Sequence, residues 1–277
     1  MELSIYTLKK LQRKKVSVVI PTYNRSLLVQ RAIKSVLSQT LPPYEIIVID
    51  DGSTDDTKEV LKEYPVKVFS QKNSGVSSAR NLGVKNSSGD VIAFLDSDDE
   101  WERDKLKTQL SYHERGCRFS HTEEIWIRDK KELKQKAHHK KPDGECFYEN
   151  ISFCKIAPST VMIDRELFEK VGFFDESLEV CEDFDMWLRV LKQTPICLVK
   201  KALTIKYSED EQLSFKYFGM DRFRVTALLK HLPDEKVKKE IEKKLSILKR
   251  GALKHKNKEI LNFSNDIITK LKIQEEK

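Results

Sequence analysis

Four short apolar runs, each ended by a polar loop and each followed by a helical or turn pattern, constrain this chain most. Val16-Ser17-Val18-Val19-Ile20 is β-branched and stops at Pro21, which reads as a buried strand. After Asn24-Arg25-Ser26, apolar residues at Val29, Ile33, Val36 and Leu37 mark one helix face, closed by Leu41-Pro42-Pro43. Residues 45–50 (EIIVID) form the next strand, and Asp51-Gly52-Ser53-Thr54-Asp55 turns into a helix carrying Val60 and Leu61. A third strand over 66–70 leads through Asn73-Ser74-Gly75 into a helix over 77–85, and a fourth over 91–95 runs into Asp96-Ser97-Asp98-Asp99. Repeated β-α-β predicts an α/β fold with a mainly parallel sheet sandwiched by helices. Ligands of such sheets bind beyond the carboxyl ends of the strands. Pro21-Thr22-Tyr23, Asp50-Asp51, Asn73 and Asp96-Ser97-Asp98 are therefore expected to converge on one edge.

The second half is less regular. A strand is expected over 160–163, then a helix over 165–171 closed by Gly172. Phe184, Trp187, Leu188 and Leu191 share a helix face, which puts Glu182-Asp183 at that helix's N-terminus. From Phe215 onward the pattern is helical, with breaks expected at Pro233-Asp234 and Gly251. Residues 1–220 then form the main domain and 221–277 a helical C-terminal extension. The stretch 128–141 has seven Lys or Arg against two acids and reads as a mobile loop.

Crowded carboxylates at a strand end repel unless a positive charge sits among them. A divalent cation that prefers hard oxygen ligands is the natural partner of such a cluster, with a diphosphate completing its coordination. The alternative for Asp99 is to cap a helix starting near Trp101. Alone, Asp50-Asp51 is a turn and cap, Arg80 a solvated helix residue, and Glu182-Asp183 a charge pair favoured by the helix dipole.

Their order is more specific. VSVVIPTYNR, VIDDGSTDDT, NSGVSSARNLG, VIAFLDSDDEW and CEDFDMWLR together resemble the inverting, non-processive glycosyltransferases of family 2, with the GT-A (Rossmann-like) fold, from about Val16 to Arg224. That resemblance implies that Pro21, Thr22 and Tyr23 form the first nucleotide-facing loop, with Asp51 accepting a hydrogen bond from the base. It places Asn73, Arg80 and Ser97 with the nucleotide-sugar, Asp96 near ribose and metal, and Asp98 on Mn²⁺ or Mg²⁺. Asp183 matches the general base and Glu182 its neighbour facing the acceptor. Where many relatives carry a His near the metal, this chain has Glu209. The Q-x-x-R-W block of processive synthases is absent, so transfer of a single sugar is implied. The implied partners are a nucleotide-diphosphate sugar and a glycan or lipid-linked acceptor.

Two rival readings are a non-catalytic nucleotide-sugar-binding protein and a sugar nucleotidyltransferase. The latter would be expected to carry a glycine-rich phosphate loop with a lysine after the first strand, where this chain reads PTYNR.

Charge and cysteines bound the rest. Residues 221–277 hold 16 basic and 9 acidic residues, leaving 35 of each in 1–220, so the whole excess of +7 lies in the C-terminal part. An anionic membrane is a fitting partner for it, and nucleic acid is not expected, since no recognised motif accompanies the charge. No secretory leader is legible at the N-terminus. Five scattered cysteines suggest neither a zinc site nor a disulfide framework and fit a reducing cytoplasm, with peripheral contact at the inner membrane face.

Overall fold

The computed structural model describes residues 13–135, 139–207 and 217–275, the last four of these by backbone alone. Its first half alternates as expected: β1 (Val16–Thr22), α1 (Ser26–Leu37), β2 (Glu45–Asp50), α2 (Thr57–Leu61), β3 (Lys67–Ser70), α3 (Val76–Lys85) and β4 (Val91–Phe94). β5 (Asp99–Trp101), α4 (Lys105–His113), β6 (Phe119–Arg128), β7 (Lys131–Glu132), α5 (Phe147–Asn150), β8 (Met162–Asp164), α6 (Glu166–Val171), α7 (Glu182–Leu191) and β9 (Cys197–Tyr207) follow. Three helices close the chain: α8 (Asp221–Leu229), α9 (Glu235–Lys254) and α10 (Lys258–Glu275).

The sheet runs β3-β2-β1-β4-β8-β6-β9-β5, with β7 beside β6. β1, β2 and β4 are buried along their whole lengths, as their apolar runs require. Their pairings and that of β2 with β3 are parallel, as is β6 with β9. β8 is antiparallel to both neighbours, and β5 and β7 are antiparallel hairpin-like edges, so the second half of the sheet is mixed. β8 meets the strand expected over 160–163, whereas β5 and β7, of three and two residues, have no period to read and were not legible.

Helices cover both faces. Val29, Ile33 and Val36 of α1 and Leu106 and Leu110 of α4 pack on one. Val84 of α3, Leu167 of α6 and Trp187 of α7 pack on the other. Gly83 lets α3 lie almost directly on β1, since a Cβ there would meet Val19 Cγ1 at 2.3 Å. The C-terminal helices do not stand apart: Phe223, Leu228, Ile241 and Leu245 share one core with Phe184 and Leu188 of α7.

Several expectations are corrected. Asp99 does not cap a helix at Trp101, because residues 99–101 pair with β9 and are extended; α4 begins four residues later. Gly251 lies inside α9, and the break comes at 255–257, where Lys256 takes a positive φ of 53° and Asn257 Oδ1 accepts from Ile260 N at 3.0 Å. The Pro233-Asp234 break holds, with Asp234 capping α9 through Lys236 N and Val237 N. The described part of 128–141 is built into the fold: β6 and β7 form a hairpin, and buried Lys141 pairs with Glu124 at 2.9 Å. Cys117 and Cys197 form a disulfide across 80 residues, with Cα atoms 6.4 Å apart. They meet because β6 and β9 are neighbours, a pairing that cysteine spacing does not encode. The bond removes the ground for reading a reducing compartment from the cysteines.

Glu45 ties the parallel strands together. Its Oε1 accepts from Ser17 Oγ of β1 (2.6 Å) and Ser88 N (2.6 Å), and its Oε2 from Lys67 Nζ of β3 (2.7 Å). Burial opposes the charge, but Lys67 and the Ser17 and Ser88 donors overcome it and hold the carboxyl at about 2. A depressed carboxylate stabilises the fold above its unfolded value of 4.5, and that contribution is lost as pH falls towards 2. Glu45→Gln is therefore expected to cost about 3 kcal/mol at neutral pH, with the difference closing below pH 4.5. Denaturant unfolding of both proteins across that range checks it, and a pH-independent difference would contradict it.

Candidate active site

The parallel strands end together, and their loops lock into one another. Gly52 has φ 81°, and a Cβ there would stand 2.7 Å from Asn73 N, so only glycine allows the 51–54 turn to meet the 71–75 loop. Asp51 secures that contact: its carboxylate accepts from Gln71 Nε2 (2.7 Å), Ser74 N (2.9 Å) and Gly75 N (2.9 Å). Asn24, at φ 50°, accepts from Thr54 N at 2.7 Å and binds the first loop to the second. Pro21 and Thr22 are buried, Tyr23 is 44% exposed and Asn73 is exposed. The Thr22 hydroxyl is buried at this strand end without a hydrogen-bond partner among the described residues, a polar atom left for a ligand.

The acidic cluster carries its own counter-charges. Arg25 Nη1 meets Asp98 Oδ2 at 2.6 Å, and Arg31 Nη2 donates to the Asp98 carbonyl at 2.6 Å. Lys206, at the end of β9, reaches Asp99 Oδ2 at 3.7 Å. Burial works against the Lys206 charge, but Asp99, Glu124, Asp96 and Asp98 outweigh it and raise its pKa. Burial, aided by the like charges of Asp98 and Asp96, pushes the Asp99 carboxyl up to about 7 despite Lys206. Ser159 Oγ donates to Asp99 and accepts from Asp96 N, so Asp99 anchors the loop from below. Ser97 is buried beside it.

Arg80 joins the two halves of the site. It is 3% exposed on α3, and its Nη2 meets Asp96 Oδ1 at 2.7 Å while its Nη1 meets Glu182 Oε1 at 2.6 Å. The close α3–β1 packing at Gly83 sets the guanidinium beneath both carboxylates. Burial opposes ionisation of Asp96, but Arg80, Lys206 and Arg25 hold its carboxyl below the usual range. Burial pushes Glu182 up to about 7 against the pull of Arg80, with Asp183 adding a like charge. One guanidinium does not neutralise two buried carboxylates equally.

Asp183 lies beside Glu182 in the first turn of α7, half-buried. Its Oδ1 accepts from Phe184 N (2.7 Å), and Cys154 Sγ lies 3.5 Å from its Oδ2. The expected residues thus come together: Thr22, Asp51, Asp96 and Asp98 on the strand ends, and Glu182 and Asp183 across the Arg80 bridge. Glu209 lies outside the described residues. Arg25, Arg31, Lys206, Ser159 and Cys154 were not singled out from sequence; Arg25 stood within PTYNR, but the pairing of β9 with β5 that delivers Lys206 has no sequence signal.

A divalent cation is tested by the donors present. Asp96 and Asp98 offer hard oxygens with side chains 22% and 17% exposed. No group of three or more His, Cys, Asp or Glu is arranged for a metal among the described residues. Two carboxylates fit a cation of the Mg²⁺ or Mn²⁺ kind that takes its remaining ligands from phosphate and water.

Residues 17–172 match the model of glycosyl transferase family 2. The chain belongs to that family. This family 2 chain is 41% identical over 195 residues to an uncharacterized glycosyltransferase of Rickettsia conorii, covering 69% of this chain and 32% of that protein. It thus spans about a third of the length of the Rickettsia relatives first matched. The UDP-Glc:alpha-D-GlcNAc-diphosphoundecaprenol beta-1,3-glucosyltransferase WfaP of Escherichia coli is 32% identical over 184 residues, covering 64% of this chain and 70% of WfaP. Among solved structures, S. aureus TarS residues 1–349 in complex with UDP-GlcNAc superposes with a TM-score of 0.69 at 20% identity, covering 88% of this chain and 76% of TarS 1–349. That likeness confirms the GT-A fold. No helix among the described residues is long and apolar enough to cross a membrane.

Proposed function

We propose that this chain is an inverting glycosyltransferase that moves one hexosyl or N-acetylhexosaminyl unit from a nucleotide-diphosphate sugar to an acceptor hydroxyl. The observation that carries this reading is the Arg80 bridge, which fixes the nucleotide-side carboxylate Asp96 and the Asp183-bearing helix in one rigid arrangement. Thr22, Tyr23, Asn73, Ser97 and the loop held by Asp51 line the nucleotide side. Asp183 accepts the proton of the acceptor hydroxyl as its oxygen bonds to the anomeric carbon. The bond from that carbon to the diphosphate oxygen breaks on the opposite face, so configuration inverts and nucleoside diphosphate leaves. Mn²⁺ or Mg²⁺ held at Asp98 and Asp96 would supply charge neutralisation for the departing diphosphate. Arg25, paired to Asp98 in this structure, then orients that carboxylate or turns to the phosphates.

WfaP acts, by its name, on a sugar linked to a lipid diphosphate. A lipid-linked or glycan acceptor in polysaccharide assembly is proposed here on that likeness. Thermal unfolding with UDP-, GDP- and dTDP-sugars, with and without Mn²⁺, tests the donor site. One nucleotide class at about 100 times its Kd should stabilise by about 2.7 kcal/mol, a shift of roughly 5–10 °C, and Mn²⁺ should strengthen it. No shift with any donor would overturn the site assignment.

A further inference from the structure

α9 carries a continuous basic row on its solvent side. Its buried face is Val237, Ile241, Lys244, Leu245, Leu248 and Ala252. At 3.6 residues per turn, Lys236, Lys239, Lys243, Ile247, Arg250 and Lys254 follow one another at spacings of three and four on the outward side. Five of these six positions are Lys or Arg and none is acidic. Lys236 lies over the Tyr148 ring and Lys243 pairs with Glu240, whereas Lys239, Arg250 and Lys254 have no ion-pair partner among the described residues. Of the acids of α9, Glu235 and Glu242 fall on the flank of the row, and Glu240, between Lys236 and Lys243, is only 12% exposed and engaged by Lys243 and Lys244.

Large apolar side chains are exposed in and beside this row: Ile247 is 45% and Leu253 59% exposed. Phe218, 57% exposed, packs against His255 at the end of the helix. A row of cations with apolar residues at its margin matches a bilayer interface, where the charges meet anionic headgroups and the apolar groups enter the acyl boundary. Nucleic acid would satisfy the charges and leave the apolar groups in water.

We propose that the outward face of α9 docks this protein on an anionic lipid surface, with the helix lying along the membrane plane. The charge placement supports it independently of the catalytic reading, because the whole net charge of +7 resides in 221–277. The packing of α9 gives the docking a direction. Lys244 Nζ donates to the Ser152 carbonyl at 2.7 Å, and Tyr148 OH donates to Asp234 Oδ2 at 2.6 Å. The segment so held continues to Cys154, next to Asp183. A surface bound by α9 is thus mechanically linked to the acceptor side of the site.

The test is co-sedimentation of the full chain with phosphatidylcholine vesicles and with vesicles that also contain phosphatidylglycerol. Binding is expected only to the anionic vesicles, and should weaken as salt is raised. The triple variant Lys239→Glu, Arg250→Glu, Lys254→Glu is expected to lose partitioning by 100-fold or more, given about fivefold per basic residue near the surface. Lys34→Glu, Lys62→Glu, Lys107→Glu changes net charge equally at exposed positions elsewhere and should retain most binding. Ile247→Ser with Leu253→Ser should weaken binding to anionic vesicles without changing its salt dependence. Equal loss in both triple variants, or no binding to anionic vesicles, overturns the proposal, as does binding to duplex DNA with none to vesicles. Thermal shifts with nucleotide-sugars should be unchanged in every variant, which keeps this outcome separate from the catalytic assignment.

Discussion

Asp183→Asn is expected to lower glycosyl transfer by roughly 10²–10⁴-fold while leaving donor binding intact. The substitution keeps shape and size, and an amide oxygen can still accept from Phe184 N, as Asp183 Oδ1 does at 2.7 Å. What is lost is the capacity to take up a proton. The helix N-terminus also loses a favourable charge, worth about 0.3–1 kcal/mol, too little to unfold the protein. Steady-state kinetics should therefore show a fall in kcat with little change in donor KM, and the donor-induced thermal shift should persist. Asp183→Glu keeps the charge but moves it by one methylene. A displacement of about 1 Å can cost on the order of 10²-fold, so charge alone should not rescue the reaction. Unchanged turnover in Asp183→Asn would remove this residue from the mechanism.

The second large effect belongs to Arg80. Arg80→Met fills similar space but leaves Asp96 and Glu182 facing each other without their shared cation. Breaking one partner out of a buried ionic cluster typically costs about 3–5 kcal/mol. A fall in Tm on the order of 10 °C is expected. Transfer should fall as well, because the bridge aligns the donor-side loop with α7. Arg80→Lys tests geometry against charge: a single ammonium does not span two carboxylates as a planar fork does. It should recover part of the Tm and little of the activity. Full recovery of both by Lys would show that only the charge matters there. The Glu182 carboxyl, already pushed up to about 7, is the group expected to protonate first when Arg80 is removed. Without Arg80 that carboxyl protonates above pH 7, so the Tm deficit should shrink as pH falls from alkaline values towards 7.

Much of the parallel half was legible because each strand announced itself. β1, β2 and β4 are apolar runs of a length that fits a buried parallel strand, and each ends at the polar residues that form the site. Glu182-Asp183 was also legible, since the amphipathic spacing of α7 fixed where that helix begins. What sequence concealed is pairing across distance. Lys206 reaches Asp99 only because β9 crosses from β6 to β5, and Cys117 bonds Cys197 for the same reason. Crowded carboxylates do not by themselves demand a metal here. Arg25, Arg80 and Lys206 already stand among Asp96, Asp98 and Asp99. A cation at this site therefore joins carboxylates that already have counter-charges. Arg80 itself changes in meaning. Read alone it was a solvated helix residue, and the resemblance placed it with the nucleotide; its guanidinium is buried between Asp96 and Glu182.

This protein is expected to transfer sugar with release of nucleoside diphosphate. That outcome is tested most directly by identifying the phosphorus-containing product after incubation with the stabilising nucleotide-sugar, Mn²⁺ and a lipid-diphosphate-linked sugar. The account predicts one nucleoside diphosphate per sugar transferred, with the anomeric configuration inverted and the product absent in Asp183→Asn. Pyrophosphate release would instead indicate a nucleotidyltransferase. Tight donor binding with no product from any acceptor in a glycan panel would indicate a binding protein.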